Sequence, residues 1–399
     1  MRKFDFILPT KIVFGCGELK RIGREARKIG KKAMLLTGRT AMRKLGYTDR
    51  VVSALRDAGL QVVLFDKIEP NPRTTTIDEA GALAGKNKCD MVIGLGGGSV
   101  MDAAKAVALT AVTAKPIWGY VYDQNGDTFP IDRKVLPIIE IPTIAATGSE
   151  ADCGGVFTNW ETHQKGVLFH PHLYPVLSIV DPELTVSCSP ELTGDGGVDI
   201  FMHVLDPYIT STPECPLADR ISEGVMITVV ENLGRAIKNG ADIDARSNLS
   251  WASTVALCGM PSEGRGGAFP LHVMEHSLSG YYDISHGRGL ASLMPAWLKA
   301  SIPSCRERLS TLAKRVFYVD TSKMTADESA LCGYACIVHW LTGIGMHCTL
   351  KDLGIDDRHF GRMADDAVLL YGHNKDFIEN QPALTREGII EIYRNSLGS

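Results

Sequence analysis

The sequence predicts an α/β domain with a parallel, Rossmann-like sheet at residues 1–185, followed by an all-helical domain at residues 186–399. Three observations predict this fold class. Short β-rich runs alternate with helical stretches in the first half, long amphipathic stretches fill the second half, and the pattern changes near residues 182–190, where prolines interrupt it. A chain of 399 residues, 45% of them hydrophobic, is long enough to bury a core in each domain.

The elements can be placed in order along the chain. Helical segments between consecutive strands are typical of a parallel sheet, and apolar stripes of helical period are typical of packed helices. The candidate strands are residues 33–36, 61–65, 91–95, 135–141 and 176–180, and the main candidate helices of the second half are residues 217–237, 245–258 and 330–341.

A glycine run joins the third candidate strand to an alanine-rich helix. Gly96, Gly97 and Gly98 leave the backbone N–H groups at the start of this helix open to a pyrophosphate, and the Ser99 hydroxyl can add a further donor. The same run could also form a tight turn with no ligand, since it is not the G-x-G-x-x-G fingerprint. The turn is therefore a candidate cofactor site.

Four histidines and one aspartate in the second half have the spacing of a metal site. Asp199 and His203 are four residues apart in an apolar stretch, His272 and His276 repeat this spacing, and His286 lies beside a glycine. Imidazole with a carboxylate suits iron (Fe²⁺) or zinc (Zn²⁺). A single histidine could be an ordinary core residue, but the repeated spacing favours a metal.

Composition excludes several classes of partner. A net charge of −4 without a cluster of Lys or Arg predicts no nucleic-acid and no membrane partner, and favours a small-molecule substrate. No apolar run is long enough to span a membrane, and the apolar stretch at the N-terminus is too short for a signal peptide. We therefore expect a cytoplasmic protein. The ten cysteines lack a C-x-x-C pair, which predicts reduced thiols.

Taken together, these motifs resemble those of the iron-containing (group III) alcohol dehydrogenases, in particular the branch of butanol dehydrogenases and broad aldehyde reductases. His272 and His286 are separated as the corresponding histidines of the family are. The segments that carry the resemblance are residues 96–102, 141–150, 178–182, 197–203, 272–276 and 286–287.

The resemblance implies the architecture shared with dehydroquinate synthase, a homodimer, and the interconversion of a primary alcohol and its aldehyde by hydride transfer with NAD(P). The metal, Fe²⁺ or alternatively Zn²⁺, would polarise the substrate oxygen. Its implied ligands are Asp199, His203, His272 and His286, and the candidate proton relay beside them is His276. The implied cofactor residues are Gly96, Gly97, Gly98, Ser99, Asp102, Thr143, Thr147, Ser149 and Lys165.

Two further expectations concern single positions. Pro207 interrupts the segment after His203 and is expected to end or bend the helix there. In NAD-preferring relatives an Asp stands where this chain has Gly38, and Arg39 beside it can pair with a 2′-phosphate. We therefore expect NADP(H) to be preferred over NAD(H), although Arg39 could instead point into water.

Other functions fit parts of the sequence. His272-Val-Met-Glu-His276 matches the H-x-x-E-H pattern of zinc peptidases, with Glu275 as the general base, but this leaves the glycine turn unexplained. Glycerol dehydrogenase and dehydroquinate synthase share the implied fold, and the latter needs a basic pocket for which no Lys or Arg cluster is present. A nucleotide-sensing or structural module is the non-enzymatic alternative.

Overall fold

The chain folds into two units. A computed structural model describes residues 1–121, 128–211 and 215–398; one unit comprises Ile7–Cys188, and the other comprises Met1–Phe6 together with Ser189–Ser399. The sequence predicts the boundary after residue 185, whereas the chain leaves the first unit after Cys188 and its N-terminal residues belong to the second.

The first unit contains a six-stranded sheet and a separate hairpin. The strands, in chain order, are β1 (Lys11–Phe14), β2 (Lys32–Gly38), β3 (Gln61–Ile68), β4 (Met91–Gly96), β5 (Ile138–Pro142), β6 (Gly154–Asn159), β7 (Gln164–Phe169) and β8 (Leu177–Val180). The sheet has the order β1-β8-β5-β4-β2-β3, and its paired strands run parallel. The five candidate strands are confirmed as β2, β3, β4, β5 and β8. The short edge strand β1 and the antiparallel hairpin of β6 and β7 were not predicted, because their runs are brief or polar.

Helices cover both faces of this sheet. They are α1 (Ile22–Ala26), α2 (Ala41–Lys44), α3 (Tyr47–Asp57), α4 (Thr74–Lys86), α5 (Gly98–Thr113) and α6 (Trp118–Val121). Alternate residues of β2 enter two different apolar clusters: Met34 and Leu36 pack with residues of α4 and α5, whereas Ala33 and Leu35 pack with residues of α1 and α3. A strand that is buried on both sides must be apolar throughout, which explains the continuous hydrophobic runs of the sequence.

The register of the sheet brings several chain segments to one edge. Gly38 at the end of β2 pairs with Ile68 at the end of β3, and Thr37 pairs with Leu95 near the end of β4. The residues that follow these three strands therefore meet at the carboxyl edge of the sheet, where ligands of open α/β sheets bind.

Over its described residues, the second unit is helical apart from one small hairpin. It contains α7 (Pro190–Thr210), α8 (Pro216–Lys238), α9 (Ile243–Ala256), α10 (Pro270–Tyr282), α11 (His286–Arg315), α12 (Ala326–Gly343), α13 (Phe360–Tyr371), α14 (Arg386–Asn395), and the strands β9 (Phe377–Ile378) and β10 (Leu384–Thr385). The three candidate helices correspond to α8, α9 and α12. The hairpin of β9 and β10 was not predicted, because two residues per strand carry no readable periodicity.

Helix α7 does not end at Pro207, which was one of the two outcomes expected of this proline. The helix begins where the Ser189 hydroxyl accepts a hydrogen bond from Leu192 N, and it continues through Pro207 to Thr210. Proline removes one backbone hydrogen bond, but tertiary contacts hold the final turn: the Tyr208 hydroxyl donates to Glu223 Oε1 at 2.9 Å, and the Thr210 hydroxyl donates to the Ala268 carbonyl at 2.9 Å. Packing thus outweighs the local preference.

Within the described part of the chain, the helices are all too short or too polar to cross a bilayer.

Candidate functional site

Three helices of the second unit carry the residues predicted to bind metal. Asp199 and His203 lie one turn apart on α7, His272 and His276 lie one turn apart on α10, and His286 is the first residue of α11. The first four side chains are buried, and His286 is partly exposed. The paired spacing in the sequence therefore does place each pair on one helix face.

Asp199 is the centre of the cluster. Its Oδ1 atom lies 3.4 Å from His203 Nδ1, 3.9 Å from His272 Nε2 and 3.5 Å from His286 Nε2. Asp199, His272 and His286 form a group whose ligand atoms all lie within 4.8 Å of one another. His203 is outside this group, but its ring centroid is 4.6 Å from that of His272. The structure thus brings three of the four predicted ligands together and places the fourth beside them.

The buried nitrogens of this cluster fit a divalent cation. Within the described residues, His203 Nδ1 and His272 Nε2 have no hydrogen-bond partner. Burial, reinforced by His272 and His286, holds the pKa of His203 well below its ordinary value, so its ring is neutral and can donate a lone pair. Buried polar atoms are rarely left unpaired, and neutral imidazoles around a carboxylate suit Fe²⁺ or Zn²⁺.

Two carboxylates orient the histidine rings. Asp206 Oδ2 lies 2.8 Å from His272 Nδ1 and also accepts a hydrogen bond from His272 N at 3.1 Å. Glu275 is hydrogen-bonded to His286 Nδ1 and to the Ser279 hydroxyl. Because an ionised carboxylate can only accept, each contact leaves the proton on Nδ1 and turns Nε2 towards Asp199.

Neither role was predicted from the sequence. The position of each acid about one turn after a proposed ligand histidine, Asp206 after His203 and Glu275 after His272, is the only sequence signal that points to them. The contact of Glu275 with His286 also differs from the free general base that the peptidase pattern requires.

His276 lies at the margin of the cluster. Its Nδ1 atom is 2.7 Å from the hydroxyl of Tyr371, the last residue of α13, and its ring centroid is 5.5 Å from that of His286. Glu275, His276 and His286 form a second group with closely spaced ligand atoms. Tyr371 was not predicted, since it stands far from the histidines in the sequence.

The glycine turn of the first unit is closely packed. Gly96 ends β4, Gly97 is extended, and Gly98 begins α5. A Cβ atom on Gly98 would lie 2.4 Å from Thr147 Cγ2, and one on Gly97 would lie 2.8 Å from Ile144 Cδ1. A side chain at Gly98 would clash with Thr147, and one at Gly97 would displace the end of the Ile144 side chain. The backbone N–H groups of these glycines and Ser99 stand at the start of a long helix, as a pyrophosphate site requires.

Behind this turn lies a buried polar network. The Ser149 hydroxyl donates to Asp102 Oδ1 at 2.7 Å, and Lys105 Nζ donates to Ser149 Oγ at 2.9 Å and is paired with Asp152. Burial raises the pKa of Asp102 to about 6. Burial opposes the charge of Lys105, but Asp152, Asp102 and Glu140 together raise its pKa. The network therefore ties α5, the helix that begins at the turn, to Ser149 and Asp152, and Lys105 was not predicted to take part in it.

The remaining predicted cofactor residues are placed as follows. Thr143 is buried, and its hydroxyl has no hydrogen-bond partner among the described residues, whereas the Thr147 hydroxyl accepts from Ser149 N at 3.2 Å.

Lys165 Nζ donates to Asn71 Oδ1 at 2.9 Å, so Asn71 joins the candidates. Arg39 follows β2 and donates to Glu69 Oε1 at 3.0 Å.

Comparisons with known proteins cover both units. A family model described as iron-containing alcohol dehydrogenase matches residues 9–182, and one described as Fe-containing alcohol dehydrogenase family, C-terminal, matches residues 193–397. The NADH-dependent butanol dehydrogenase B of Clostridium acetobutylicum is 32% identical, with 100% of each protein covered. The NADPH-dependent aldehyde reductase YqhD of Escherichia coli is 29% identical, with 89% of this chain and 90% of that protein covered. The crystal structure of NADH-dependent butanol dehydrogenase A from Thermotoga maritima has a TM-score of 0.93 and 36% identity, with 100% of this chain and 99% of that one covered.

Proposed function

This chain belongs to the iron-containing alcohol dehydrogenase family and is an alcohol/aldehyde oxidoreductase that uses a metal and a nicotinamide cofactor, and we propose that it interconverts a primary alcohol and its aldehyde. The observation that carries the proposal is the cluster of Asp199, His272 and His286, whose ligand atoms converge from three helices. Histidines and a carboxylate that converge in this way are a ligand set typical of Fe²⁺ or Zn²⁺.

The proposed metal is Fe²⁺, with Zn²⁺ as the alternative, held by Asp199, His203, His272 and His286. When bound, the metal supplies a Lewis acid for the substrate oxygen, and the nicotinamide exchanges a hydride with the substrate carbon. Asp206 and Glu275 keep the proton on the Nδ1 atoms of His272 and His286, so their Nε2 lone pairs stay directed inward.

His276 is the proposed proton relay. Alcohol oxidation releases a proton and aldehyde reduction takes one up, and an imidazole can do both near neutral pH. The Tyr371 hydroxyl holds Nδ1 of the ring at 2.7 Å, so Nε2 is the atom that would receive or give the proton.

The cofactor is proposed to bind at the carboxyl edge of the sheet. Its pyrophosphate would accept hydrogen bonds from the backbone N–H groups of Gly97, Gly98 and Ser99. We propose a preference for NADP(H), because no acid stands at Gly38 and the guanidinium of Arg39 beside it is suited to pair with a 2′-phosphate.

Two measurements on one preparation test the proposal. Protein purified without oxygen should contain about one Fe²⁺ or Zn²⁺ per chain by elemental analysis, and it should oxidise NADPH or NADH in the presence of short aldehydes. Metal-free protein that reduces aldehydes at the same rate would refute the role of the cluster. A protein that binds metal but reduces no aldehyde would refute the substrate class.

We further propose a cytoplasmic homodimer. The strand β1 lies at the edge of the sheet and ends in Phe14, which is exposed, and the unpaired N–H and C=O groups of an edge strand offer a template for pairing with a second copy. Light scattering on the purified protein measures the number of chains, and a monomer at micromolar concentration would exclude the dimer.

A further inference from the structure

Arg39 has an acidic partner at the end of the neighbouring strand. Its Nη2 atom donates to Glu69 Oε1 at 3.0 Å, and the Thr76 hydroxyl in the first turn of α4 donates to the same oxygen at 2.9 Å. The Arg39 side chain is 66% exposed, whereas that of Glu69 is only 19% exposed. Glu69 is thus anchored by the protein, and Arg39 reaches it from the solvent side.

The sheet register places this ion pair beside the proposed cofactor site. Arg39 follows Gly38, Glu69 follows Ile68, and Gly38 and Ile68 pair across β2 and β3. On its other side, β2 pairs with β4, which leads into the glycine turn. A cofactor whose pyrophosphate sits at that turn and whose adenosine ribose sits beside Gly38 therefore meets both members of the pair.

The second oxygen of Glu69 is suited to a hydroxyl. Glu69 Oε2 is buried, and within the described residues it has no hydrogen-bond partner. A buried carboxylate oxygen gains most from a donor, and the ribose 2′-hydroxyl of NAD(H) is a donor. The 2′-phosphate of NADP(H) has only acceptor oxygens when ionised and adds negative charge, so it would be repelled by Glu69 while it is attracted by Arg39.

We propose that Glu69 is a specificity-determining residue of the cofactor site, which discriminates against a 2′-phosphate by occupying Arg39 and by presenting a carboxylate to the ribose. The inference rests on the proposed cofactor site. It also limits how strongly NADP(H) can be preferred over NAD(H), because Arg39 attracts the 2′-phosphate and Glu69 repels it.

The test compares two probes that differ only in the 2′-phosphate, 5′-AMP and adenosine 2′,5′-bisphosphate, by titration calorimetry on the intact metal-loaded protein. Glu69→Gln should raise the preference for the bisphosphate over 5′-AMP by about 10-fold, because it removes the repulsion and frees Arg39. The ratio of kcat/KM for NADPH over NADH should rise in parallel. Melting curves establish that each variant is folded.

Glu79→Gln is the matched control. Glu79 lies on α4 and its Oε1 pairs with Lys67 at 2.6 Å, so this change removes one negative charge without touching Arg39. We expect its binding ratio to equal that of the unchanged protein. The double variant Arg39→Ala, Glu69→Gln should lose most of the gain, since the cation that binds the phosphate is then absent.

An unchanged binding ratio in Glu69→Gln, or an equal rise in Glu79→Gln, would overturn the inference. The proposed preference for NADP(H) is judged separately, from the ratio in the unchanged protein. If that protein prefers NADH and Glu69→Gln still shifts the ratio towards NADPH, the preference is refuted and the role of Glu69 is supported.

Discussion

Asp206 and Glu275 act on the metal site through the rings of other residues. Asp206 holds His272 by its Nδ1 atom, and it also accepts from the backbone N–H groups of Leu271 and His272 at the start of α10. It therefore fixes both the ring and the helix end that carries the ring. Such carboxylate–histidine contacts commonly set metal affinity.

For this reason Asp206→Asn should weaken metal binding by about 10–100-fold, since an amide can stabilise the wrong tautomer of His272. Competition with a chromophoric chelator measures the dissociation constant directly. Asp327→Asn, at an exposed acid on α12, is the control and should bind metal normally. Equal affinities in the two variants would show that Asp206 does not orient the ligand.

His276 and His286 should respond differently to replacement by Ala. His286→Ala should lose both metal and activity, because it removes a proposed ligand. His276→Ala should keep its metal and lose about 100-fold or more in kcat, because it removes only the relay. Metal analysis and steady-state kinetics on both variants check this. Metal loss in His276→Ala with a normal metal content in His286→Ala would exchange the two assignments.

At the scale of elements, the junction of β1 and α1 depends on one carboxylate. Glu25 is 5% exposed and pairs with Lys28 at 2.9 Å and with Lys11 at 3.0 Å. The hydrogen bond from Lys28, followed by that from Lys11, lowers the pKa of Glu25 from 4.5 to about 2. A depressed carboxyl pKa stabilises the fold above the unfolded value, and this stabilisation is lost as the pH falls towards 2.

Glu25→Gln should therefore lower the free energy of unfolding at pH 7, and the difference from the unchanged protein should shrink between pH 5 and pH 2. Urea unfolding at several pH values measures it. Glu18→Gln, which removes the neighbouring partner of Arg21, is the control and should have a smaller effect. A difference that stays constant with pH would contradict the assignment.

Helix α5 carries a buried cation, Lys105, whose side chain is completely buried. Lys105→Met should lower the free energy of unfolding by about 3–5 kcal/mol, because Asp152 and Asp102 would lose their cation. Lys67→Met, at an exposed ion pair, should cost at most about 1 kcal/mol. Similar losses in the two variants would argue against a buried charge network.

At the scale of the whole molecule, metal binding should stabilise the native state. The ligands come from α7, α10 and α11, which are brought together only when the second unit is folded. A chelator should therefore lower Tm, and adding Fe²⁺ or Zn²⁺ should restore it. At a free metal concentration 100 times Kd, binding should raise the free energy of unfolding by about 2.7 kcal/mol. Calorimetry with and without chelator measures the shift, and His272→Ala should show none. A chelator-insensitive Tm in the unchanged protein would show that the cluster is empty or unimportant for stability.

The sequence by itself determined the alternation of strands and helices, the glycine turn, and the pairing of Asp199 with His203 and of His272 with His276. All of these features depend on residues a few positions apart, and the helical period of 3.6 or the strand period of 2 turns such spacings directly into geometry.

Tertiary structure alone decided the features that join distant segments. Asp206 meets His272, Tyr371 meets His276, Lys105 meets Ser149, and Glu69 meets Arg39. It also carried α7 through Pro207 against the local preference. No periodicity encodes these contacts, because they depend on how helices pack and how strands are ordered. At Pro207, the burial of the surrounding side chains outweighs the energy of the one backbone hydrogen bond that proline removes.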